Sequence, residues 1–504
     1  MIAEFRILDG IVLIAYLAGM AAFGVYFAKR NTSTEAYFLG KRSFPGWAVG
    51  LSMLGTSISA VTFLAFPAAA YILDWRQLVA NLMLPFVAVV AVLVFIPFFR
   101  RGGLTSAFEY LGERYGPVVR LYGTLSFLLL QIIRISKILF LVAIPVHILT
   151  GAPIVPVIAA LGVFIGFYTV AGGIQAVIWT DVVQSIVLWL GGLFCFFAVI
   201  YRLPDGFGQV ISVAAEADKF NIGSFDWDLG ERTFWTIALL GIFSWLAHYT
   251  DQNFVQRYAA SKSTREARKA TIIYTAVAVP TWAFFFFLGT CVWVFYKVLP
   301  DAAVAGLEAD QIFPYFILTQ LPAGVAGLVI AGAVAAAMSS LDSSLNGIAT
   351  IIVVDLLKPY LAKNRSDAFY LKTARWVAIA AGAIMVLGAI LFESLPKESM
   401  NDLSWIFASV FGGCLVGLFM LGFFTVRADN FSVLVGLAIA TLVNIYLGFA
   451  LAGWVPEAWN PGIHAYWVGV LVNLLFVIVA YGISLFRRQR GKNLEGLTVW
   501  TLAK

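Results

Sequence analysis

The chain has 504 residues, of which 61% are hydrophobic and only 12% are charged, and its formal net charge is +6. Soluble domains carry about 25% charged residues, so this composition excludes a soluble globular protein. The mean hydropathy of +0.91 and the recurring apolar runs of about 20 residues predict an all-α integral membrane protein. The alternating pattern of an outer-membrane barrel is absent.

Apolar spans recur along the chain and predict about thirteen transmembrane helices. The predicted spans are 7–28, 45–72, 78–99, 118–149, 153–170, 174–201, 233–252, 268–297, 313–355, 371–392, 401–424, 430–452 and 464–487. Basic residues follow the odd-numbered spans, for example Lys29, Arg30, Arg100 and Arg101. By the positive-inside rule, we expect a multi-pass protein of the cell (inner) membrane with its N-terminus outside and its C-terminus in the cytoplasm.

An odd number of helices with ends on opposite sides permits two five-helix repeats inserted in opposite orientations, as in many secondary transporters. The predicted parts are a first helix with a cytoplasmic loop (1–44), a first inverted repeat (45–202), an extracellular loop (203–232), a second inverted repeat (233–424), and two C-terminal helices with a cytoplasmic tail (425–504). In such folds the substrate and ion sites lie near the midplane, between interrupted helices.

Polar residues interrupt the second and ninth spans at membrane depth. The second span reads GTSISAVT at positions 55–62, with Pro67 beyond, and we expect it to unwind locally and free backbone carbonyls. The ninth reads AAAMSSLDSSLN at 335–346. An ionised carboxylate at this depth costs about 2.5–3.5 kcal/mol, so these oxygens either pair with one another or hold a hard cation. We interpret the stretch as half of a sodium site.

Ionisable residues also lie inside other spans. Asp181 follows the turn of AGGIQAVIWTDVVQS (171–185), and Arg134 and Lys137 share one face of the fourth span. A guanidinium holds a carboxylate bidentately, whereas a lysine acts as a point charge. Two interpretations stay open. In the first, the two basic residues bind an anionic substrate. In the second, they neutralise Asp181 or Asp342 within the protein, and Asp181 would then form a structural ion pair.

Nothing in the sequence indicates an enzyme. Phosphate loops, nucleophile elbows and zinc motifs are absent, and His147, His248 and His464 are far apart in sequence. We therefore expect a transporter driven by an ion gradient, without an organic cofactor. A sensor or receptor, or a channel, built on the same fold is the alternative from another functional class.

Several stretches resemble the motifs of the sodium/solute symporter family. They are WAVGLSMLGTSISAVTFLAFPAAAY (47–71), RRGGLTSAFEYLGERYGP (100–117), AGGIQAVIWTDVVQS (171–185), AAAMSSLDSSLN (335–346) and, more weakly, DQNFVQRYAASKS (251–263). Within the family, the chain most resembles the bacterial sialic acid symporters. The resemblance implies a leucine-transporter-like fold with two inverted five-helix repeats. It also implies sodium-coupled import of a small organic solute by alternating access.

The resemblance further implies three sets of site residues. A common sodium site falls on the carbonyls of Gly55, Ile58 and Ala336 and on the hydroxyls of Ser339 and Ser340. A second sodium site falls on Asp181, Ser339, Asp342 and Ser343. The substrate pocket falls on Ser57, Ser59, Thr62, Asn81 and Arg134, with Arg134 at the carboxylate-binding position, and Gln77 is a further candidate where the family pattern has an aromatic residue.

Departures from the family pattern leave the substrate open. Asp342 replaces a serine of the family pattern, Asn81 replaces a glutamine, and Lys137 replaces an apolar residue. Sialic acid, another anionic sugar or another carboxylate suits Arg134, and a neutral sugar is the alternative. The sequence also leaves the coupling ion open: one sodium ion, two sodium ions, or a proton carried by Asp342 or Asp181. The expected partners are this small molecule and membrane lipid, with no nucleic acid and no obligatory protein partner.

Overall fold

The computed structural model describes residues 6–28, 33–101, 104–394, 400–487 and 493–501. Within these ranges the chain is helical, and its single isolated β-bridge joins Phe44 to Ser261. Helices suit a membrane because they satisfy their backbone hydrogen bonds internally. The all-α prediction is confirmed.

In the described part of its first half, the chain forms nine helices besides short 3-10 turns, numbered here in chain order. They are α1 (Ile7–Ala28), α2 (Thr34–Leu39), α3 (Gly46–Ser57), α4 (Val61–Ile72), α5 (Arg76–Arg100), α6 (Ala107–Tyr115), α7 (Pro117–Thr150), α8 (Ile154–Arg202) and α9 (Gly206–Glu216). The second half forms ten. They are α10 (Phe234–Thr250), α11 (Gln252–Ala260), α12 (Thr264–Val298), α13 (Ala309–Gln320), α14 (Val325–Leu361), α15 (Asp367–Glu393), α16 (Met400–Phe411), α17 (Leu415–Phe424), α18 (Asn430–Leu451) and α19 (Tyr466–Phe486).

In the described part of the chain, eight helices are long and apolar enough to cross a membrane, and the bent pair α3–α4 makes a ninth span. Shorter apolar helices lie where the sequence predicts further spans: Ile7–Phe23, Ile154–Phe167, Phe234–Thr250 and Leu415–Phe424. The chain is therefore a multi-pass membrane protein. The total of about thirteen helices stays a prediction.

Helix α14 is the central helix. Of its most apolar stretch, 89% is buried inside the protein, against 33% for α15. It packs most extensively against α8 and also contacts α1, α7 and α15. Small residues such as those at 332–337 allow this close approach of helices. The oxygen-rich stretch at 335–346 therefore faces other helices rather than lipid.

The predicted break in the second span is confirmed. Helix α3 ends at Ser57, Ile58 has an extended backbone, and α4 begins at Val61 at an angle of 60° to α3. The Ser59 carbonyl accepts a hydrogen bond from the Thr62 amide at 2.9 Å, and the Ser59 hydroxyl accepts one from the Val61 amide at 3.1 Å. Ser59 thus begins the second segment of this first broken helix, α3–α4.

A second break, between α10 and α11, was not located by the sequence. The predicted span 233–252 corresponds to α10, which ends at Thr250, and the unpredicted helix α11 begins at Gln252. Asp251 between them has an extended backbone, and its carboxylate accepts a hydrogen bond from the Asn253 amide at 2.8 Å. An aspartate that caps a new helix is the signal that marks this break.

Two other predicted spans are each interrupted. The span 313–355 is two helices, α13 and α14, separated by LPAG at 321–324, where Gly324 has φ +85°. The span 401–424 is also two helices, α16 and α17, with Gly413 at φ +55° between them. Glycine adopts such left-handed conformations without steric cost. Gly173, also at φ +55°, divides α8 at the predicted turn.

The second half of the first broken helix, α4, packs tightly on α12. A Cβ at Gly289 of α12 would clash with the backbone of Pro67 in α4, whereas a Cβ at Gly382 of α15 would meet nothing within 4 Å. We expect Gly289→Ala to destabilise the protein by about 1–3 kcal/mol, because overpacking forces the helices apart. The measurement is the melting temperature of the purified protein in detergent.

The matched control is Gly382→Ala, the same chemical change in open space, which is expected to leave the melting temperature unchanged or slightly higher. Equal melting temperatures for the two variants would contradict the close packing of α4 on α12.

Candidate functional site

A small cavity lies where the break of the first broken helix meets α14. Four of the five residues predicted for the common sodium site line it: Gly55, Ile58, Ala336 and Ser339. Its volume is about 10 Å³, close to the smallest space that holds a single water molecule. The residues around it carry backbone carbonyls and a serine hydroxyl, the types of oxygen ligand that suit a hard cation.

Gly55 has to be a glycine for this arrangement to form. A Cβ at this position would lie 2.5 Å from the Ser339 hydroxyl oxygen and 3.0 Å from the Asp181 side chain. Any larger residue would therefore push the Ser339 oxygen away. The absence of a side chain lets α3, α8 and α14 converge on the cavity.

Ser340, the fifth predicted ligand, lies beside this cavity rather than on its wall. Its hydroxyl donates a hydrogen bond to the Thr56 carbonyl at 3.0 Å. The same carbonyl accepts a hydrogen bond from Nη2 of Arg134 at 2.7 Å. The Thr56 carbonyl, one residue after Gly55, thus joins the predicted sodium residues to the predicted carboxylate-binding arginine.

Asp181 forms a buried ion pair with Arg257. Nη2 of Arg257 lies 3.0 Å from Oδ2 of Asp181 and donates to the Ser343 hydroxyl at 2.7 Å, and Nε donates to the Ser52 hydroxyl at 2.9 Å. Ser52 in turn donates to the same carboxylate oxygen at 2.5 Å, and Ser339 donates to the other oxygen. Three predicted residues of the second sodium site, Asp181, Ser339 and Ser343, therefore belong to one network around a guanidinium.

Asp342, the fourth residue of that set, has its own hydrogen bond. Its Oδ1 accepts from the hydroxyl of Thr169, which precedes the Gly173 kink of α8. The side chain is fully buried, and Tyr16 of α1 lies within electrostatic reach. Asp342 therefore lies at the junction of α1, α8 and α14.

A larger cavity of about 310 Å³ lies on the other side of the same break. Pockets of 300–1,000 Å³ are typical of small-molecule sites. Five of the six predicted substrate-binding residues line it: Ser57, Ser59, Thr62, Asn81 and Arg134. Its aromatic walls include Phe66, Phe127 and Trp282. The structure therefore brings together residues of α3, α4, α5 and α7 that the sequence separates widely.

More basic than acidic side chains line this cavity. Arg134 and Lys137 line it together with one carboxylate, Asp251. Among the described residues, Arg134 makes a single hydrogen bond, to the Thr56 carbonyl, so its other N–H groups are available to a ligand. The Asn81 amide nitrogen is buried and finds no partner in the described part of the chain. The cavity thus offers donors and positive charge.

Gln77 does not line this cavity, although its side chain is buried in α5 nearby. Conversely, sequence reasoning did not single out His248, Asp251 and Arg257. His248 contacts the Ser57 hydroxyl through Nε2 at 3.2 Å. The only signal for Asp251 and Arg257 was the weak match at 251–263, which His248 precedes. The three residues come together through the unpredicted break between α10 and α11.

Comparison with known proteins identifies the family. The model of the sodium:solute symporter family matches residues 37–440. The chain belongs to the sodium:solute symporter family. It is 33% identical over 480 residues to the sodium/sialic acid symporter NanT of Aliivibrio fischeri, covering 95% of this chain and 93% of that protein.

Solved structures agree with this assignment. One, of a substrate-bound outward-open state of a Na⁺-coupled sialic acid symporter, superposes with a TM-score of 0.87 at 31% identity and covers 96% of this chain and 99% of that chain. Mhp1, a nucleobase-cation-symport-1 family transporter, shares the fold with a TM-score of 0.60 at 16% identity, covering 88% and 94%. The leucine-transporter-like fold predicted from the motifs is confirmed, and the protein is a sodium-coupled transporter rather than an enzyme.

The small cavity can be tested by filling it. We expect Gly55→Ala to abolish sodium-dependent thermal stabilisation of the purified protein, because the added Cβ would displace the Ser339 hydroxyl. The measurement is the melting temperature in sodium chloride minus that in choline chloride. Gly382→Ala, the same change in open space, is expected to keep the full difference. A wild-type sodium response in Gly55→Ala would contradict the assignment of this cavity.

Proposed function

We propose that the protein imports a small anionic solute together with sodium by alternating access, and that the substrate is a sugar acid such as sialic acid or another small carboxylate. The observation that carries this proposal is the shared Thr56 carbonyl. It accepts hydrogen bonds from Arg134 in the large cavity and from Ser340 beside the small one. Ion and substrate would therefore act on the same carbonyl.

The charge of the large cavity favours an anion. A buried cation is costly unless an opposite charge accompanies it, and Arg134 and Lys137 face one carboxylate, Asp251. A substrate carboxylate would complete this balance through a bidentate contact with Arg134. Ser57, Ser59, Thr62 and the Asn81 amide would bind hydroxyl or amide groups of the same molecule. The sialic acid symported by NanT has this chemistry, which supports the proposal.

The hydroxyl orientation of Ser340 suits sodium binding. A hydroxyl that donates its hydrogen to the Thr56 carbonyl leaves its oxygen lone pairs available to a cation. Sodium bound to the common set would therefore tie the inner half of the broken helix to α14. Release of sodium to the cytoplasm would free this link and allow the two repeats to move relative to each other.

The number of sodium ions decides how strongly the substrate accumulates. A membrane potential of 100 mV contributes about 2.3 kcal/mol per charge, and a tenfold sodium gradient adds about 1.4 kcal/mol per ion. Two sodium ions with one monoanion would supply about 5 kcal/mol, enough for an accumulation of several thousandfold. One sodium ion would make the cycle electroneutral and supply only about 1.4 kcal/mol.

A second sodium ion at Asp181 would compete with Arg257. The guanidinium already satisfies the Asp181 carboxylate and the Ser343 hydroxyl, so sodium would have to displace it from both. The carboxylate of Asp342 adds a negative charge on α14, the helix of Ser343, which would favour a cation there. We infer that the common site is filled first and that the second site holds its ion more weakly.

The setting of this cycle is the cell (inner) membrane, with the N-terminus outside and the C-terminus in the cytoplasm. The positive-inside pattern of the loops supports this orientation. The two inverted repeats at 45–202 and 233–424 would carry the motion, in contact with membrane lipid. The cycle needs no obligatory protein partner.

Arg134 tests the substrate class. We expect Arg134→Gln to weaken carboxylate uptake roughly tenfold or more, because hydrogen bonds to charged groups contribute about 1.5–3 kcal/mol. The measurement is initial uptake of labelled sialic acid and of other carboxylates by proteoliposomes, after a thermal-shift screen has ranked them with and without sodium. Unchanged carboxylate uptake would show that Arg134 is structural.

Gln77→Leu is the control, since Gln77 is buried and does not line the cavity. We expect it to transport normally. Preferred binding of a neutral sugar in the screen would overturn the anionic assignment.

Asp342 tests the second ion site. We expect Asp342→Asn to lower the apparent sodium affinity and the ratio of labelled sodium to labelled substrate, because it removes the charge that favours a second cation. Asp355→Asn, the same change near the end of α14 where Arg120 pairs with the carboxylate, should alter neither quantity. Sodium dependence unaffected by Asp342→Asn would exclude this site. Uptake that persists without sodium at fixed pH would indicate proton coupling instead.

A further inference from the structure

Gln184 of α8 lines the small cavity together with the predicted sodium residues. The cavity wall contains Gly55, Ile58 and Ala336 on one side and Gln184 and Ser185 on the other. For the common sodium site, the resemblance to the family names ligands on the first broken helix and on α14, and none on α8; Asp181, one turn before Gln184, belongs to the second site. The role of these α8 residues is therefore unassigned.

The amide of Gln184 makes no hydrogen bond of normal geometry. Its side chain is 1% exposed, and neither Oε1 nor Nε2 finds a partner among the residues that the structure describes. Buried amides are almost always satisfied, so an unpaired one beside a cavity indicates a ligand. The neighbouring Ser185 differs in this respect, because its hydroxyl already donates to the Asp181 carbonyl at 2.8 Å.

We propose that the Gln184 side-chain carbonyl is a further ligand of the sodium ion bound in this cavity. Amide carbonyl oxygens are common ligands of hard cations, and an oxygen from α8 would add to those from the broken helix and α14. The inference rests on the proposed sodium coupling and adds a third helix to the ion site. Sodium binding would then tie α8 to the first broken helix as well as to α14.

The NH₂ group of the Gln184 amide has a candidate partner on α1. The Tyr16 hydroxyl is buried without a hydrogen bond in the described structure, and it lies close enough to Gln184 to interact with it. With Oε1 on sodium, the Gln184 NH₂ group would be oriented by this hydroxyl. Tyr16 also lies within electrostatic reach of Asp342. The first helix, outside the two inverted repeats, would therefore support the ion site.

The experiment measures sodium affinity without substrate. The full-length protein is purified in detergent, and its melting temperature is titrated with sodium chloride and with lithium chloride at constant ionic strength in choline. We expect Gln184→Leu to weaken the apparent sodium affinity roughly tenfold and to change the preference for sodium over lithium, because one oxygen ligand is lost. We expect Gln184→Glu to bind sodium more tightly as pH rises, because an ionised carboxylate replaces the amide.

Gln209→Leu is the matched control, because it makes the same chemical change on α9, outside the cavity. We expect it to keep the wild-type sodium affinity and sodium-to-lithium preference. Wild-type values in Gln184→Leu would overturn the proposal. If Gln184→Leu does not fold, a sodium affinity in Gln184→Glu that equals the wild type and is independent of pH would overturn it. A wild-type protein with no sodium response would instead overturn the proposed sodium coupling itself.

Discussion

The buried ion pair between Asp181 and Arg257 is the interaction on which the rest of the site depends. Through Ser52 and Ser343, it ties α3, α8, α11 and α14 together. Removing one partner of such a pair typically costs about 3–5 kcal/mol, because an unpaired charge stays buried. The network therefore positions both helix breaks relative to α14.

The two breaks explain why ion and substrate sites lie side by side. In a membrane, unpaired backbone groups are tolerated only where they line a cavity or bind something. At the first break, the freed Thr56 carbonyl accepts from Arg134 on one side and from Ser340 on the other. At the second break, Asp251 places a carboxylate on the wall of the large cavity. Local unwinding thus supplies both polar groups and the geometry that couples them.

Much of this site was predictable. Gly55 begins the polar interruption of the second span, and Ser339 was recognisable because a run of hydroxyl and carboxylate groups is costly at membrane depth unless it has a function. Arg134 was recognisable for the same reason. Asp251 and Arg257 were not, since they follow a span that reads as one apolar helix, and a single capping aspartate is a weak signal beside that hydropathy. Gln77 was placed in the substrate set, but its side chain lies outside the cavity.

The sequence by itself determined the all-α membrane class, the family and the oxygen-rich stretch of α14, because hydropathy and local motifs are properties of contiguous residues. Only the tertiary structure decided which charges meet. Asp181 lies 76 residues before Arg257 in sequence, and no local pattern shows that this arginine, rather than Arg134 or Lys137, is its partner. The same holds for Gln184, whose unpaired amide matters only because α8 packs beside the break of the first broken helix.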